Sequence, residues 1–117
     1  MAHSCRQSEV KPNIISCELY GRVDAASAQQ LKQELHDLFI QHKPRLVVSV
    51  RNLDLMSAAC IGVLVSFHQQ ALAKKGGVRM VGVNPKVKRV LDLVELSKVW
   101  GSFASEEEAI KSFKEGR

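Results

Sequence analysis

Few side chains in this sequence have nucleophilic or metal-binding chemistry, and their spacing argues against most of the reactions they could perform. The cysteines Cys5, Cys17 and Cys60 are odd in number and lack Cys-x-x-Cys spacing, which disfavours a structural zinc site and favours reduced thiols. If the first two segments form a hairpin, Cys5 lies nearly opposite Cys17. His3, His36, His42 and His68 do not recur at metal-ligand intervals, and His36 and His68 fall on helices at solvated or boundary positions. There is no Gly-x-x-x-x-Gly-Lys-Ser/Thr, no Gly-x-Gly-x-x-Gly and no Gly-x-Ser-x-Gly. Gly76-Gly77 reads as a helix stop rather than a phosphate cradle, because glycine tolerates the left-handed backbone at a helix C-terminus. The expectation is a non-enzymatic protein with no cofactor and no metal.

What chemistry remains sits in Met56-Ser57-Ala58-Ala59-Cys60-Ile61-Gly62 and at Asp24. Ser57 is the only hydroxyl of its loop and stands where a helix begins, a position at which serine caps about as well as aspartate. Cys60 falls in that helix's first turn, where the dipole can lower a thiol pKa; alternatively it fills a small gap. Asp24 is a start signal for an earlier helix, in competition with Ser27-x-x-Gln30, which has the form of a capping box.

The elements that must position these residues follow from periodicity. Residues 13–20 read as a strand ending at Gly21, preceded by a weaker polar strand at about 3–10 with Lys11-Pro12 turning the chain. Ala28, Leu31, Leu35, Leu38 and Phe39 recur at helical spacing and predict a helix over 25–41, with Pro44 just beyond. Leu46 to Val50 is a β-branched run suited to a buried strand, and Arg51–Met56 reads as a loop. A helix over 58–74 would turn Ile61, Leu64, Val65, Ala71 and Leu72 inward. Val78 to Val83 is another strand. Behind Asn84-Pro85, residues Val87, Val90, Leu91 and Val94 give a short helix whose first turn suits the proline. Val99 to Phe103 reads as a last short strand. A final helix starts at Ser105, with Ser105-x-x-Glu108 as capping box and Ala109, Ile110 and Phe113 as apolar stripe. The order β-β-α-β-α-β-α-β-α predicts one α/β domain over residues 1–117. Its sheet would be mixed but mainly parallel, with about four to five strands and about four helices.

Composition agrees with a globular chain of 117 residues, 45% hydrophobic and 25% charged, large enough for one core. The net charge of +5 raises nucleic acid as a partner, but the basic residues are dispersed and one Tyr and one Trp offer little to stack on bases. No nucleic-acid partner is expected. The longest mainly apolar stretch, Met56 to Phe67, is too short to span a bilayer, and the N-terminus has no apolar h-region. Neither membrane insertion nor secretion is expected, and a cytoplasmic location follows by default.

Three segments, in this order, resemble the STAS family. Tyr20-Gly21-Arg22-Val23-Asp24 looks like its Gly-x-x-Asp, and Leu53 to Leu64 looks like its apolar loop, Asp-Ser-Ser/Thr-Gly-Leu-Gly and following helix. Val81 to Leu91 is similar to its strand, Asn/Ser-Pro turn and Val-rich helix. The resemblance covers roughly residues 10–113. It implies the STAS fold and the role of an anti-sigma factor antagonist. In that role the first serine of the motif accepts phosphate from a serine-kinase-like anti-sigma factor, and the unmodified protein binds that kinase. Carried over residue by residue, Ser57 stands at the family's aspartate, Ala58 at the phosphoacceptor, Ala59 at the second hydroxyl and Cys60 at the glycine, while Ile61 and Gly62 keep the pattern. Ser57 is then either a cap or a displaced phosphoacceptor, and Asp24 either a cap or part of the phosphorylation surface. The resemblance implies a partner-binding surface of Asp24 and Met56 to Gly62, uncoupled from phosphorylation at Ala58. The alternative is a structural STAS subunit of a transporter complex or stress-signalling scaffold. A nucleotide-binding protein has no phosphate motif to support it. The oligomeric state is left open.

Overall fold

The computed structural model describes residues 3–7, 14–40 and 44–114. The expected Lys11-Pro12 turn and His42 lie outside them. The elements are β1 (His3–Gln7), β2 (Ile14–Val23), α1 (Ala25–Ile40), β3 (Arg45–Met56), α2 (Ala58–Leu72), β4 (Gly77–Val81), α3 (Pro85–Leu93), α4 (Ser97–Trp100) and α5 (Glu106–Lys114). The sheet order is β1-β2-β3-β4, with β1 antiparallel to β2 and the other two pairs parallel. The expected mixed, mainly parallel sheet is what forms. Cys5 does stand opposite Cys17 in the β1–β2 register.

Side-chain alternation along the strands divides the core in two. Ile15, Cys17 and Leu19 of β2, Leu46, Val48 and Val50 of β3, and Val78 and Met80 of β4 face the larger cluster, with Leu31, Leu35, Leu64 and Trp100 from the helices. Ile14, Val47 and Val81 face the opposite side, where α5 covers them with Ala109, Ile110 and Phe113. The apolar stripe read for the last helix is therefore the lid of a second, smaller core.

Three expectations are corrected. The Arg51–Met56 segment is not a loop. It continues β3 along β2 as far as Val23↔Met56, although β4 stops pairing at Ser49↔Val81. Register irregularities between Glu18 and Tyr20 and between Gly21 and Arg22 erase the alternation that would have marked this extension as a strand. Val99–Phe103 is not a strand either. Ser97–Trp100 winds into a helical turn that drives Trp100 fully into the core, and Gly101 then takes φ +71. Only Phe103 bridges to β4, through Phe103 N–H to Met80 O at 2.9 Å and Gly82 N–H to Phe103 O at 2.9 Å. Five helices therefore replace about four among the described residues. Finally, Leu72, expected inward, is exposed, as is Val94 just past the end of α3, whereas His68, expected at a solvated or boundary position, is buried. Its Nδ1 accepts the Val78 N–H at 3.0 Å, so this histidine joins α2 to β4.

Candidate functional site

Two parallel strands end side by side, and that alignment builds the site. Val23 and Met56 are register partners, so the chain leaves β2 and β3 at the same edge and turns at once into α1 and α2. The first residue past each strand is Asp24 and Ser57 respectively, and each caps its helix. Asp24 Oδ1 accepts the Ser27 N–H at 2.9 Å, and its carbonyl accepts the Ala28 N–H at 2.8 Å. Ser27 thus lies inside the first turn, and the competition between Asp24 and Ser27 for the cap is resolved in favour of Asp24. Donation from the Ser27 backbone N–H, then from the Ser27 side chain, holds the exposed Asp24 carboxyl below its usual pKa. Ser57 is extended at φ −73 and ψ 163, and its Oγ accepts the Cys60 N–H at 3.2 Å.

Around these caps the surface is small-residue and open. Ala58, Ala59 and Gly62 are exposed, while Ser57 and Ile61 are half-buried. A cleft of about 250 Å³ runs between α1 and α2, lined by Ala28, Gln29, Lys32, Ala59, Gly62 and Ser66. A Cβ placed on Gly62 would meet nothing within 4 Å, so this face has room for a partner's side chains.

Met56 and Cys60 do not belong to that surface. They are only 4% and 0% exposed, packed in the larger core, and the expectation that they present themselves to a partner is corrected. The helix end does not activate Cys60: burial pushes its thiol pKa up to about 12. Fully buried in the larger core, Cys60 has the gap-filling role that the geometry supports. Among the described residues, no group of three or more His, Cys, Asp or Glu is placed to hold a metal.

Asn84 and Leu55 enlarge the region beyond the residues singled out from the motifs. Asn84 caps α3 by accepting the Val87 N–H at 2.9 Å, and its amide donates to Val50 O at 3.1 Å and Leu53 O at 2.9 Å. It thereby straps α3 to the part of β3 that β4 leaves unpaired. The Asn-Pro start was visible in the sequence; the strap depends on a strand thirty residues away and was not. Leu55 is 38% exposed beside a second cleft of about 290 Å³, which it shares with Pro85, Lys86 and Val90.

The STAS domain family model matches residues 6–109. The chain belongs to the STAS family. Relatives of this STAS domain include the anti-sigma F factor antagonist of Paenibacillus polymyxa, 26% identical over 99 residues, covering 83% of this chain and 84% of the relative. Another, BtrV of Bordetella bronchiseptica, is named as an anti-sigma factor antagonist and is 28% identical over 101 residues, 86% of each chain. The solved structure of the anti-sigma factor antagonist SpoIIAA in its unphosphorylated form superposes with a TM-score of 0.84 at 19% identity, covering 96% of this chain and 97% of the other. No helix among the described residues is long and apolar enough to cross a membrane.

Proposed function

We propose that this STAS domain is a non-enzymatic docking module of the anti-sigma factor antagonist type, acting in the cytoplasm on an anti-sigma factor or serine-kinase-like regulator. The docking face is the paired N-termini of α1 and α2, contributed by Asp24, Ser57, Ala58, Ala59, Ile61 and Gly62. The reading is supported by the names of the relatives and by one feature above the others: Ala58, which the motif resemblance sets at the family's phosphoacceptor position, is an exposed methyl group.

Phosphoryl transfer to a side chain needs an oxygen that forms the new P–O bond and loses its proton, and alanine has none. A phosphoserine at position 58 would place about −1.5 to −2 charge at a helix N-terminus, reshaping the docking face. With Ala58 in place the face stays permanently in its unmodified form. The module then responds to the concentration of its partner and not to a kinase.

The test combines binding with mass spectrometry. The protein is incubated with kinase-like anti-sigma factors encoded beside its gene, with and without ATP. A stable complex whose affinity is indifferent to ATP, with no phosphate on residues 57–60, is the expected result. Phosphate on Ser57, or release of the complex by ATP through modification of this chain, overturns the reading.

A further inference from the structure

The helix α2 spans 15 residues, so its two ends lie about 22 Å apart at 1.5 Å per residue. The docking face occupies one end. At the other, a cavity of about 550 Å³ opens between the last turn of α2, the start of β4, α4 and the end of α5. We infer that this cavity is a binding site for a small amphipathic anion, a carboxylate or phosphate joined to an apolar body. The inference is independent of the docking role proposed above.

Charge gives the first argument. Lys75, Arg79 and Lys98 line the cavity, and among the described residues no acidic side chain does. Arg79 is 8% exposed, because strand alternation turns it with Val81 toward α5 while Val78 and Met80 face the main core. Its Nε donates to Ser112 Oγ at 3.0 Å, its Nη1 donates to Val78 O at 3.1 Å, and its guanidinium carbon stands 4.4 Å from the centre of the Phe113 ring. Among the described residues, no carboxylate pairs with any of the three cations. Buried charges are ordinarily paired, since an isolated one is costly to desolvate. A guanidinium held by two neutral acceptors and an aromatic face, with Nη2 outside those bonds, is a fork prepared for an anion.

The remaining lining gives the second. His68 accepts the Val78 N–H on Nδ1, which leaves the hydrogen on Nε2 and makes it a donor. The fully buried Trp100 stands behind the cavity wall; its indole N–H has no hydrogen-bond partner among the described residues and is closed off from the cavity. Polar side chains around the cavity are donors. Its walls are apolar: Phe103 and Phe113 close it, and Leu72 and Val99, 56% and 48% exposed, flank it. Cations beside exposed hydrocarbon in a space of this size suit an anionic head with a short apolar tail.

Trp100 is the protein's one tryptophan and backs the cavity wall, so its emission reports changes there. The full chain is titrated with octanoate and with octyl phosphate, using octanol and octyltrimethylammonium as neutral and cationic controls. Saturable change is expected with at least one anion, at least about tenfold tighter than with octanol, and none with the cation. Which anion binds more tightly decides between carboxylate and phosphate. Arg79→Met is expected to abolish the response. Should that variant not fold, the surface double variant Lys75→Glu/Lys98→Glu decides, with an expected loss of about tenfold or more. Absence of saturation with both anions, equal affinity for octanol, or undiminished binding by the double variant overturns the inference.

Discussion

Ser57 and Ala58 differ by a single oxygen, and that oxygen already has a structural task. The Ser57 hydroxyl accepts the Cys60 N–H, satisfying one of the donors that open α2. Ser57→Ala is therefore expected to lower the unfolding free energy by about 1 kcal/mol, measured by denaturant titration. A loss near zero would mean that the cap is dispensable. Three residues on, Cys60 shows what the same helix end does not do. Its thiol pKa, pushed up to about 12 by burial, leaves it protonated at neutral pH. Thiol-reactive disulfide reagents at pH 8 are expected to label the native protein at the same rate with or without Cys60→Ser. The difference of one thiol should emerge only in denaturant. Faster labelling of the native wild type would show that the thiol is reachable after all.

At the scale of elements, the junction of α2 with β4 depends on an imidazole. His68 Nδ1 must be unprotonated to accept the Val78 N–H, and Arg79 lies beside it. Burial first, and then the Arg79 charge, hold the His68 pKa below its ordinary value. The sign follows from linkage. Below about pH 6.5 the unfolded chain binds a proton that the folded one resists, so stability is fully present above that pH and declines as the folded pKa is approached from above. Unfolding titrations between about pH 7 and pH 5 are expected to show this decline. His68→Asn keeps an acceptor without the titration and is expected to flatten it. An unchanged slope in that variant assigns the decline elsewhere.

The same junction shows where sequence patterns stop being informative. Caps and starts are local, so Ser57, Asn84-Pro85 and Ser105-x-x-Glu108 marked their helices correctly; Ser105 Oγ does accept the Glu108 N–H at 3.2 Å. The burial of His68, the continuation of β3 to Met56 and the inward turn of Trp100 arise from neighbours distant in the chain. A bulged register and a helical turn of β-favouring residues carry no periodic signature. The candidate site divides along the same line. Its position at a helix opening was readable, whereas the loss of Met56 and Cys60 to the core required knowing that α2 lies on the sheet.

The molecule as a whole keeps its two surfaces at opposite ends of one helix, and they should fail separately. Gly62 is the most direct handle on the docking end. It sits in α2, a Cβ there meets nothing within 4 Å, and it faces the cleft between α1 and α2. Replacing it with arginine adds a better helix former, so the intrinsic term favours folding by somewhat under about 1 kcal/mol. The side chain nevertheless fills the space a partner would occupy. Gly62→Arg is expected to leave thermal unfolding unchanged or slightly raised, to weaken capture of the anti-sigma factor at least about a hundredfold, and to leave the Trp100 response to octanoate as it was. Lys75→Glu/Lys98→Glu is expected to do the converse, losing the anion and retaining the partner. If Gly62→Arg binds its partner as tightly as wild type while remaining folded, the docking face lies elsewhere. The region that inherits the claim is then the cleft between Leu55 and α3, where a bulky residue at the exposed Lys86 provides the equivalent block.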